Sequence, residues 1–202
     1  MNDKSTLIIF LLIAIAALWF FFLAPRAKEA RAEREKREAE ERKRREIDRE
    51  KLKAEREKLL KKIKKNAPDF ILNSQLEFER EYRAKGNTGS FGQDMSPLAC
   101  FGYRVGKTNG RTETERHAIL EYAVAADLNA SLAFLPASYR NDWGGPMSIA
   151  RFNRIYHHIN SMADLRNGRR NFEVAVSHWR SDAVWFHAQQ HPLVEKFREI
   201  SS

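Results

Sequence analysis

The stretch GYRVGKTNG at 102–110 contains the residue types of a loop that binds a nucleotide phosphate. A Walker-type loop needs Gly, four further residues and then Gly-Lys-Thr, so that successive backbone N–H groups surround the phosphate. The first glycine should stand at position 101, which is Phe101, and Gly102 leaves the loop one residue too short. An Asn-Gly pair then indicates a turn where a helix should begin. We therefore interpret 106–110 as a turn that exposes Lys107.

Histidine and cysteine offer the other candidates for chemistry. His187 and His191 are four residues apart, a spacing that brings two metal ligands onto one helix face. Pro192 indicates that the helix ends there, and no acidic residue completes a convincing set, so ordinary histidines are favoured. The single cysteine, Cys100, lies in the apolar stretch LACF, which favours a core residue over a nucleophile. We predict no catalytic residue, no metal site and no cofactor, and favour a non-enzymatic protein.

Basic residues near aromatic side chains are the remaining candidates, because they bind anions or acidic partners when they share one face. The candidates for anion or partner binding are Arg104, Lys107, Arg111, Arg151, Arg154, Arg169, Arg170, Trp143 and Trp179. The alternative is structural, since arginines also cover apolar surface with their stems or pair internally. The sequence favours the structural role.

The elements that must position these residues are helices. A short extended segment or strand is predicted over Leu98–Val105, and the capping-box spacing of Thr112 and Glu115 predicts a helix after it. Apolar residues recur at helical spacing after Pro146 up to the Asn-Gly pair at 167–168, and again over 172–186. Pro192 is expected to separate a short final piece. We predict an all-α head, residues 98–202, with at most a minor strand.

Four motifs in this head are similar to a small C-terminal domain of bacterial proteins of uncharacterised function. They are GYRVGKTNG, RHAIL, WGGPMSIAR and WRSDAVW, against the pattern GYxVGKxxG, RxxIL, WGxPxSxxR and WxxDxxW. The resemblance covers roughly 98–190, and Arg111 and Phe152 stand where the pattern has leucine. It implies a module reused at the ends of chains, which favours binding over catalysis. It implies no activity, cofactor or site residue.

The N-terminal region predicts a membrane anchor. After a tail of residues 1–5, residues 6–24 carry no charge and reach about the ~20 apolar residues that span a bilayer. Ten Lys or Arg among 25–45 predict that the following chain stays in the cytoplasm. We expect a single-pass inner-membrane protein with its N-terminus outside, its head in the cytoplasm, and lipid contacts at Arg26 and Lys28.

Residues 25–65 predict a long charged helix that acts as a stalk. They hold 19 Lys or Arg and 11 Asp or Glu, whereas 66–202 hold 16 and 15. Acidic residues precede basic ones by four positions, the favourable order on a helix surface. Too few apolar residues are present for a coiled-coil seam, so a single helix is favoured. Leu59, Leu60 and Ile63 either seat its end on the head or begin a short zipper. Residues 66–97 form a connector.

The functional hypothesis combines these parts. We expect a membrane-anchored binding or adaptor protein whose partners are the lipid bilayer and a cytoplasmic protein. The alternative is a membrane-tethered nucleic-acid-binding module, in defence or partition, suggested by the basic stalk and the arginines of the head.

Overall fold

The computed structural model describes residues 24–85 and 96–201, together with positions 11, 12, 14 and 19. The regular elements with described bounds are α1 (Ala24–Lys65), α2 (Asp69–Ala84), α3 (Pro97–Cys100), α4 (Glu113–Ala125), α5 (Leu128–Ser131), α6 (Ala137–Asp142), α7 (Ile149–Arg166), α8 (Glu173–Lys196) and α9 (Arg198–Ser201). No strand occurs in these ranges, which agrees with the all-helical prediction for them. The extended segment predicted over Leu98–Val105 is wrong, because α3 occupies its start.

The predicted membrane anchor is not supported. Among the described residues, no helix combines the length and the apolar character needed to cross a bilayer. A span needs about 20 mainly apolar residues in one helix, whereas the longest described helix, α1, is dominated by charged side chains. Most of 6–24 lies outside the described residues. The predictions of a transmembrane helix and of a single-pass inner-membrane location with a cytoplasmic head are therefore corrected.

The lipid contacts predicted at Arg26 and Lys28 depended on that anchor. The side chain of Arg26 lies outside the described residues, and Lys28 is exposed.

Helix α1 is the long charged helix that the sequence predicts, with 42 residues. Three of the predicted pairs with the acid first are formed on its surface, Glu33–Arg37, Glu38–Arg42 and Glu41–Arg45. Such exposed pairs stabilise a helix by about 0.3–0.5 kcal/mol each. The chain divides within this helix into two units, Met1–Lys51 and Leu52–Ser202, which are described separately below by their own contacts.

The second unit, Leu52–Ser202, contains the apolar core. Helices α7 and α8 run antiparallel, since the ring of Phe152 near the start of α7 lies 5.2 Å from that of His191 near the end of α8, and Arg166 at the end of α7 lies 5.3 Å over the ring of Phe172, which precedes α8. Helix α4 packs against both and buries Ile119, Leu120 and Val124. Four apolar residues from the end of α1, Leu52, Leu59, Leu60 and Ile63, pack on this core. Leu59, Leu60 and Ile63 therefore pack the end of α1 on the head, which is the first of the two roles predicted for them.

Two helix boundaries differ from what the sequence predicts. The capping-box spacing of Ser74 and Glu77 predicts a helix start at Ser74, but α2 begins at Asp69 after Pro68, and Ser74 lies in its second turn. Pro192 was expected to end α8, but the helix continues to Lys196. The lost hydrogen bond at proline is offset because Val194 and Phe197 beyond it are fully buried, and burying such side chains contributes about 1.5–3 kcal/mol each.

Candidate functional site

A cluster of ionisable side chains surrounds a buried carboxylate, Asp182, on α8. Asp182 has no exposed surface, and Arg116 of α4 donates to both of its oxygens, Nε to Oδ2 at 2.7 Å and Nη2 to Oδ1 at 3.1 Å. The hydroxyl of Tyr103 donates to Oδ2 at 2.6 Å. The planar guanidinium fork matches a carboxylate in this two-bond arrangement. We call Asp182, Arg116 and Tyr103 the Asp182 network.

The start of α4 fixes the position of Arg116. Thr112 and Glu115 form the predicted capping box, in which Thr112 Oγ1 accepts from the Glu115 N–H and the Glu115 carboxylate accepts from the Thr112 N–H. The bonds from Thr112 lower the pKa of Glu115. Arg116 lies one turn after the cap, and its Nη1 also donates to the carbonyl of Arg111 at 2.8 Å. The capping prediction is confirmed, and it positions the cationic half of the ion pair.

His117 and Trp185 cover the Asp182 network towards the surface. Their rings stack in parallel, 3.8 Å apart between centroids and 4° from coplanar. His117 Nε2 lies 3.4 Å from Asp182 Oδ1, close enough for an ion pair when the imidazole is protonated, but its geometry forms no hydrogen bond. Trp185 is half-buried. The stacked pair therefore separates a buried ion pair from the outer surface of α8.

The turn that resembled a phosphate loop packs on the same helix. The Gly106 N–H donates to His178 Nδ1 at 3.3 Å, which joins the turn to α8. Burial and the charge of Arg116 lower the pKa of His178, so its neutral form, the one with a free Nδ1 acceptor, is favoured. The Arg111 N–H closes the turn on the Arg104 carbonyl at 2.9 Å. No helix begins at Lys107, which agrees with the prediction of a turn.

This arrangement holds charge in place and is closed to a reacting group. Each oxygen of Asp182 already accepts at least one hydrogen bond, and the carboxylate has no exposed surface. Burial, and the adjacent Asp182 charge, raise the pKa of Tyr103 well above its usual value, which favours the neutral phenol as a donor. A general base must reach the proton that it abstracts. The Asp182 network therefore acts as a structural ion pair that links α4, α8 and the turn between α3 and α4.

A second buried arginine lies at the opposite end of α4. Arg151 of α7 donates from Nη1 to the carbonyls of Ala123 and Ala126, at 3.1 and 3.0 Å. Its Nε donates to the carbonyls of Trp143 and Gly144, at 2.8 and 3.1 Å, and its Nη2 donates to Gly144 as well. Carbonyls at a helix C-terminus carry partial negative charge and favour a cation. Arg151 therefore caps the C-terminus of α4.

The loop before α7 has the backbone shape that this cap requires. Gly144 has φ 75°, where a side chain is strained, and a Cβ there would meet the side chain of Ala150 at 2.9 Å. Ser148 caps α7 by accepting from the Arg151 N–H at 3.1 Å. Met147 donates its N–H to the Val124 carbonyl at 2.8 Å. The residues of the WGxPxSxxR pattern thus join α4 to α7.

The predicted basic candidates do not share one face. Arg104, Lys107, Arg154, Arg169 and Arg170 are exposed, and Arg151 is buried. Arg154 lies 5.7 Å from the Trp143 ring centroid in the second turn of α7, whereas Arg169 and Arg170 follow the other end of α7. Twelve residues of helix separate Arg154 from the end of α7, which is ~18 Å. Lys107 lies in the turn that Gly106 joins to His178 of α8, and Arg169 and Arg170 precede α8 in the chain.

The other predicted candidates are engaged inside the second unit. Arg111 lies 4.5 Å over the Phe70 ring and pairs with Glu115 at 3.1 Å. Trp143 and Trp179 are buried, so neither ring offers a face for stacking on a ligand. Arg111, Arg151 and both tryptophans therefore have the structural role that the sequence favours.

The histidine and cysteine candidates have ordinary surroundings. The rings of His187 and His191 stack on each other at 4.7 Å between centroids and lie edge-on to Phe152. Within the described residues, no group of three or more His, Cys, Asp or Glu is arranged to hold a metal. Cys100 is buried, and burial raises the pKa of its thiol to about 12.

The exposed side of α8 carries an open surface. A shallow cavity of about 730 Å³ runs along it, lined by Glu173, Val176, Ser177, Arg180, Ser181, Val184 and Trp185. We call these seven residues the α8 face. Val184 is 72% exposed, the highest value among the large apolar residues of the described ranges. Trp185 joins this face to His117 and so to the Asp182 network beneath.

Reasoning from the sequence missed the residues of the Asp182 network and the α8 face. One signal was present, since Asp182 stands between Trp179 and Phe186 on the apolar side of a helix. Arg116 likewise precedes Ile119 and Leu120 at helical spacing. A charged residue in each of two buried stripes indicates an internal ion pair, because a buried charge needs a partner.

Comparisons with family models, with curated proteins and with solved structures gave no match for this chain. The resemblance to a bacterial C-terminal domain stays a prediction.

Proposed function

We propose that this protein is a binding or adaptor protein whose second unit, Leu52–Ser202, recognises a protein partner through the α8 face. The observation that carries the proposal is the exposed Val184, beside Trp185, on an open cavity along α8. Exposed apolar residues that form a patch mark interaction sites more often than single scattered ones do. Tryptophan is also enriched among the residues that dominate binding energy.

The α8 face is held rigid from below. Trp185 stacks on His117, and the Asp182 network beneath it joins α8 to α4 through a two-bond ion pair. A surface that is already ordered loses less conformational entropy on binding than a mobile one. The buried polar cluster therefore supports recognition by fixing the surface that makes contact.

The charges of the α8 face define the partner further. Glu173 and Arg180 are seven residues apart, two helical turns, so they point to the same side. Within the described ranges neither forms an ion pair, so both are available for pairing across an interface. The partner that fits is an amphipathic helix with an apolar residue against Val184 and Trp185. Opposite charges on that helix would lie next to Glu173 and Arg180.

Catalysis has less support than binding. The side chains that could take part in catalysis are buried or already hydrogen-bonded; they are Asp182, Tyr103 and Cys100. The exposed residues of the α8 face are two serines, an acid, an arginine and apolar residues, without a histidine or a paired carboxylate among them. We therefore place function in the surface and assign the buried polar residues to its support.

A pair of matched variants tests the proposal. Val184→Asp adds a charge on the α8 face, and Leu165→Asp adds the same charge at a 50% exposed leucine of α7. A photo-crosslinking amino acid at Ser181 in the full chain should yield one reproducible protein adduct in cells. We expect Val184→Asp to remove this adduct and Leu165→Asp to retain it, with unfolding curves unchanged for both. No adduct, or equal adducts in both variants, would contradict the proposal.

Nucleic-acid binding is a second candidate, and one observation favours it. The last turns of α1 carry five exposed lysines and no acid, Lys58, Lys61, Lys62, Lys64 and Lys65. A run of positive charge binds the phosphate backbone through counterion release, so affinity falls steeply with salt. We expect a gel shift with double-stranded DNA at low salt that Lys61→Glu with Lys64→Glu removes. An unchanged shift in this double variant, or one insensitive to salt, would rule the lysines out.

A further inference from the structure

A small cavity lies against the turn Gly144-Gly145-Pro146, apart from the α8 face. Its volume is about 170 Å³. Its polar lining consists of Asp127, Asn129, Arg140, Asn141 and Arg151, with Gly145 between them. Two arginines and two amides against a single acid make this lining rich in donors.

Arg151 brings a positive charge that forms no salt bridge within the described ranges, although the charge of Asp127 in the same lining acts on it. All its hydrogen bonds go to backbone carbonyls, which carry only partial charge. Burial lowers its pKa to about 10, so the guanidinium remains charged at neutral pH. Removing a charge from water is costly unless an opposite charge compensates it. The charge of Arg151 is therefore only partly compensated, by helix carbonyls and by Asp127.

Arg140 adds a second guanidinium with an unused donor. Its Nε is buried and has no hydrogen-bond partner within the described ranges. Its Nη1 reaches the Leu132 carbonyl at 3.4 Å, a long bond. A buried donor without an acceptor is destabilising and is uncommon in native proteins, where water or an ion often supplies the acceptor. An oxygen ligand in the cavity would satisfy it.

The surrounding charges leave the cavity positive. Asp127 is the acid in its lining, and one of its oxygens accepts from the Asn129 N–H at 3.0 Å. A third guanidinium, Arg56, donates to the carbonyl of Pro146 in the same turn, and its Nε also lacks a partner among the described residues. Within the lining itself, two guanidinium groups against one carboxylate favour an anion.

Neutral donors complete the lining. Asn129 and Asn141 line the cavity, and the structure gives neither side-chain amide a hydrogen-bond partner within the described ranges. A Cβ placed at Gly145 would meet nothing within 4 Å, so the backbone there is open to a ligand. Arginine forks, amides and an open glycine backbone are the donors that proteins use for phosphate.

We propose that this cavity binds a phosphate group, held between Arg140 and Arg151 and above Gly145. The donors come from four different segments of the chain. These are the start of α5, the end of α6, the turn between α6 and α7, and the start of α7. A tetrahedral oxyanion accepts from several directions, whereas a carboxylate is satisfied by one arginine fork. The ligand is free phosphate or a small phosphate monoester, which share this chemistry. The site is independent of the α8 face.

Calorimetric titration of the full chain tests the site. The probes are inorganic phosphate and glycerol 3-phosphate, with sodium acetate and sodium chloride at matched ionic strength. We expect saturable one-site binding of one or both phosphate probes and none of acetate or chloride. Tighter binding of glycerol 3-phosphate would identify a monoester as the ligand, and the reverse order would identify free phosphate. Absence of binding by both phosphate probes would overturn the proposal.

Three variants separate the site from general charge effects. Arg140→Gln should weaken phosphate binding about ten-fold or more, the effect of losing one charge-assisted hydrogen bond. Arg154→Gln removes an equal charge from an exposed arginine outside the lining and should leave affinity within about two-fold. Asp127→Asn keeps a residue suited to cap α5 and removes the repelling charge, so binding should tighten. Equal affinities in Arg140→Gln and Arg154→Gln, or weaker binding in Asp127→Asn, would refute the assignment.

Discussion

Arg116 and Arg151 are both almost completely buried, at 4% and 2% exposure, but they meet different acceptors. Arg116 is neutralised by the Asp182 carboxylate, to which it makes two hydrogen bonds. Arg151 donates only to backbone carbonyls, and the charge of Asp127 acts on it without forming an ion pair. The difference teaches that hydrogen-bond satisfaction and charge neutralisation are separate requirements. The charge of Arg116 is neutralised within the protein, whereas the charge of Arg151 still attracts anions.

The largest expected effect comes from breaking the neutralised pair. Asp182→Asn should lower the free energy of unfolding by about 3–5 kcal/mol, because Arg116 is left as an uncompensated buried charge. Urea unfolding followed by circular dichroism measures this. The matched control is the double variant Asp182→Leu with Arg116→Met, which removes both charges and should recover much of the loss. If Asp182→Asn unfolds like the wild-type protein, the pair does not hold α4 to α8.

Removing Arg151 should cost less than removing Asp182. Arg151→Met leaves no buried charge, but it deprives the carbonyls of Ala123, Ala126, Trp143 and Gly144 of their donor. We expect a loss of about 2–3 kcal/mol in the same urea experiment, since unsatisfied buried acceptors cost ~1–3 kcal/mol each and some gain access to water. A loss equal to or greater than that of Asp182→Asn would reverse the contrast between the two arginines.

The hydrogen bond from the Gly106 N–H to His178, close to Arg116, should make the stability of this region depend on pH. Burial and Arg116 lower the folded-state pKa of His178, so below about pH 6.5 the unfolded chain binds the proton more readily than the folded one. Stability attributable to this residue is therefore present above that pH and is lost as the pH falls through the lowered pKa. The urea midpoint should fall between pH 7.5 and pH 5.5 by more in the wild-type protein than in His178→Asn. Parallel pH profiles would contradict this.

Replacing an exposed arginine should change the free energy of unfolding least, and it gives the reference value for the two buried arginines. Arg83 of α2 donates from Nε and Nη2 to Glu79 Oε1 at 2.9 and 2.7 Å, but its side chain is largely in water. Arg83→Gln should change the free energy of unfolding by at most about 0.5 kcal/mol, because screening and side-chain entropy offset the attraction. A change as large as that of Arg151→Met would show that geometry matters more here than burial.

Local sequence signals predicted the local structure well where one interaction decides it. The capping box of Thr112 and Glu115 sets the start of α4, and the Asn-Gly pair at 167–168 follows the end of α7. The same reasoning was wrong at Pro192, where the burial of Val194 and Phe197 outweighs a broken helix bond. It was also wrong at Leu98–Val105, where Ser96 and Pro97 begin a short helix.

The predicted membrane anchor illustrates a different limit. An uncharged apolar stretch at 6–24 satisfied the length rule for a span, yet no described helix has the required length and apolar character. The predicted site residues illustrate a third limit. Counting arginines cannot distinguish an exposed Arg154 from a buried Arg151 three residues away, although the two have opposite surroundings.

The sequence by itself determined the helical class of the described residues, the long charged helix and the absence of a Walker-type loop, because periodicity, propensity and spacing are local properties. Only the tertiary structure decided which charges are buried and which of these are paired. Asp182 and Arg116 are 66 residues apart, and Arg140 and Arg151 line one cavity through different helices. Burial and neutralisation depend on which helix faces pack together, and no single stretch of sequence carries that information.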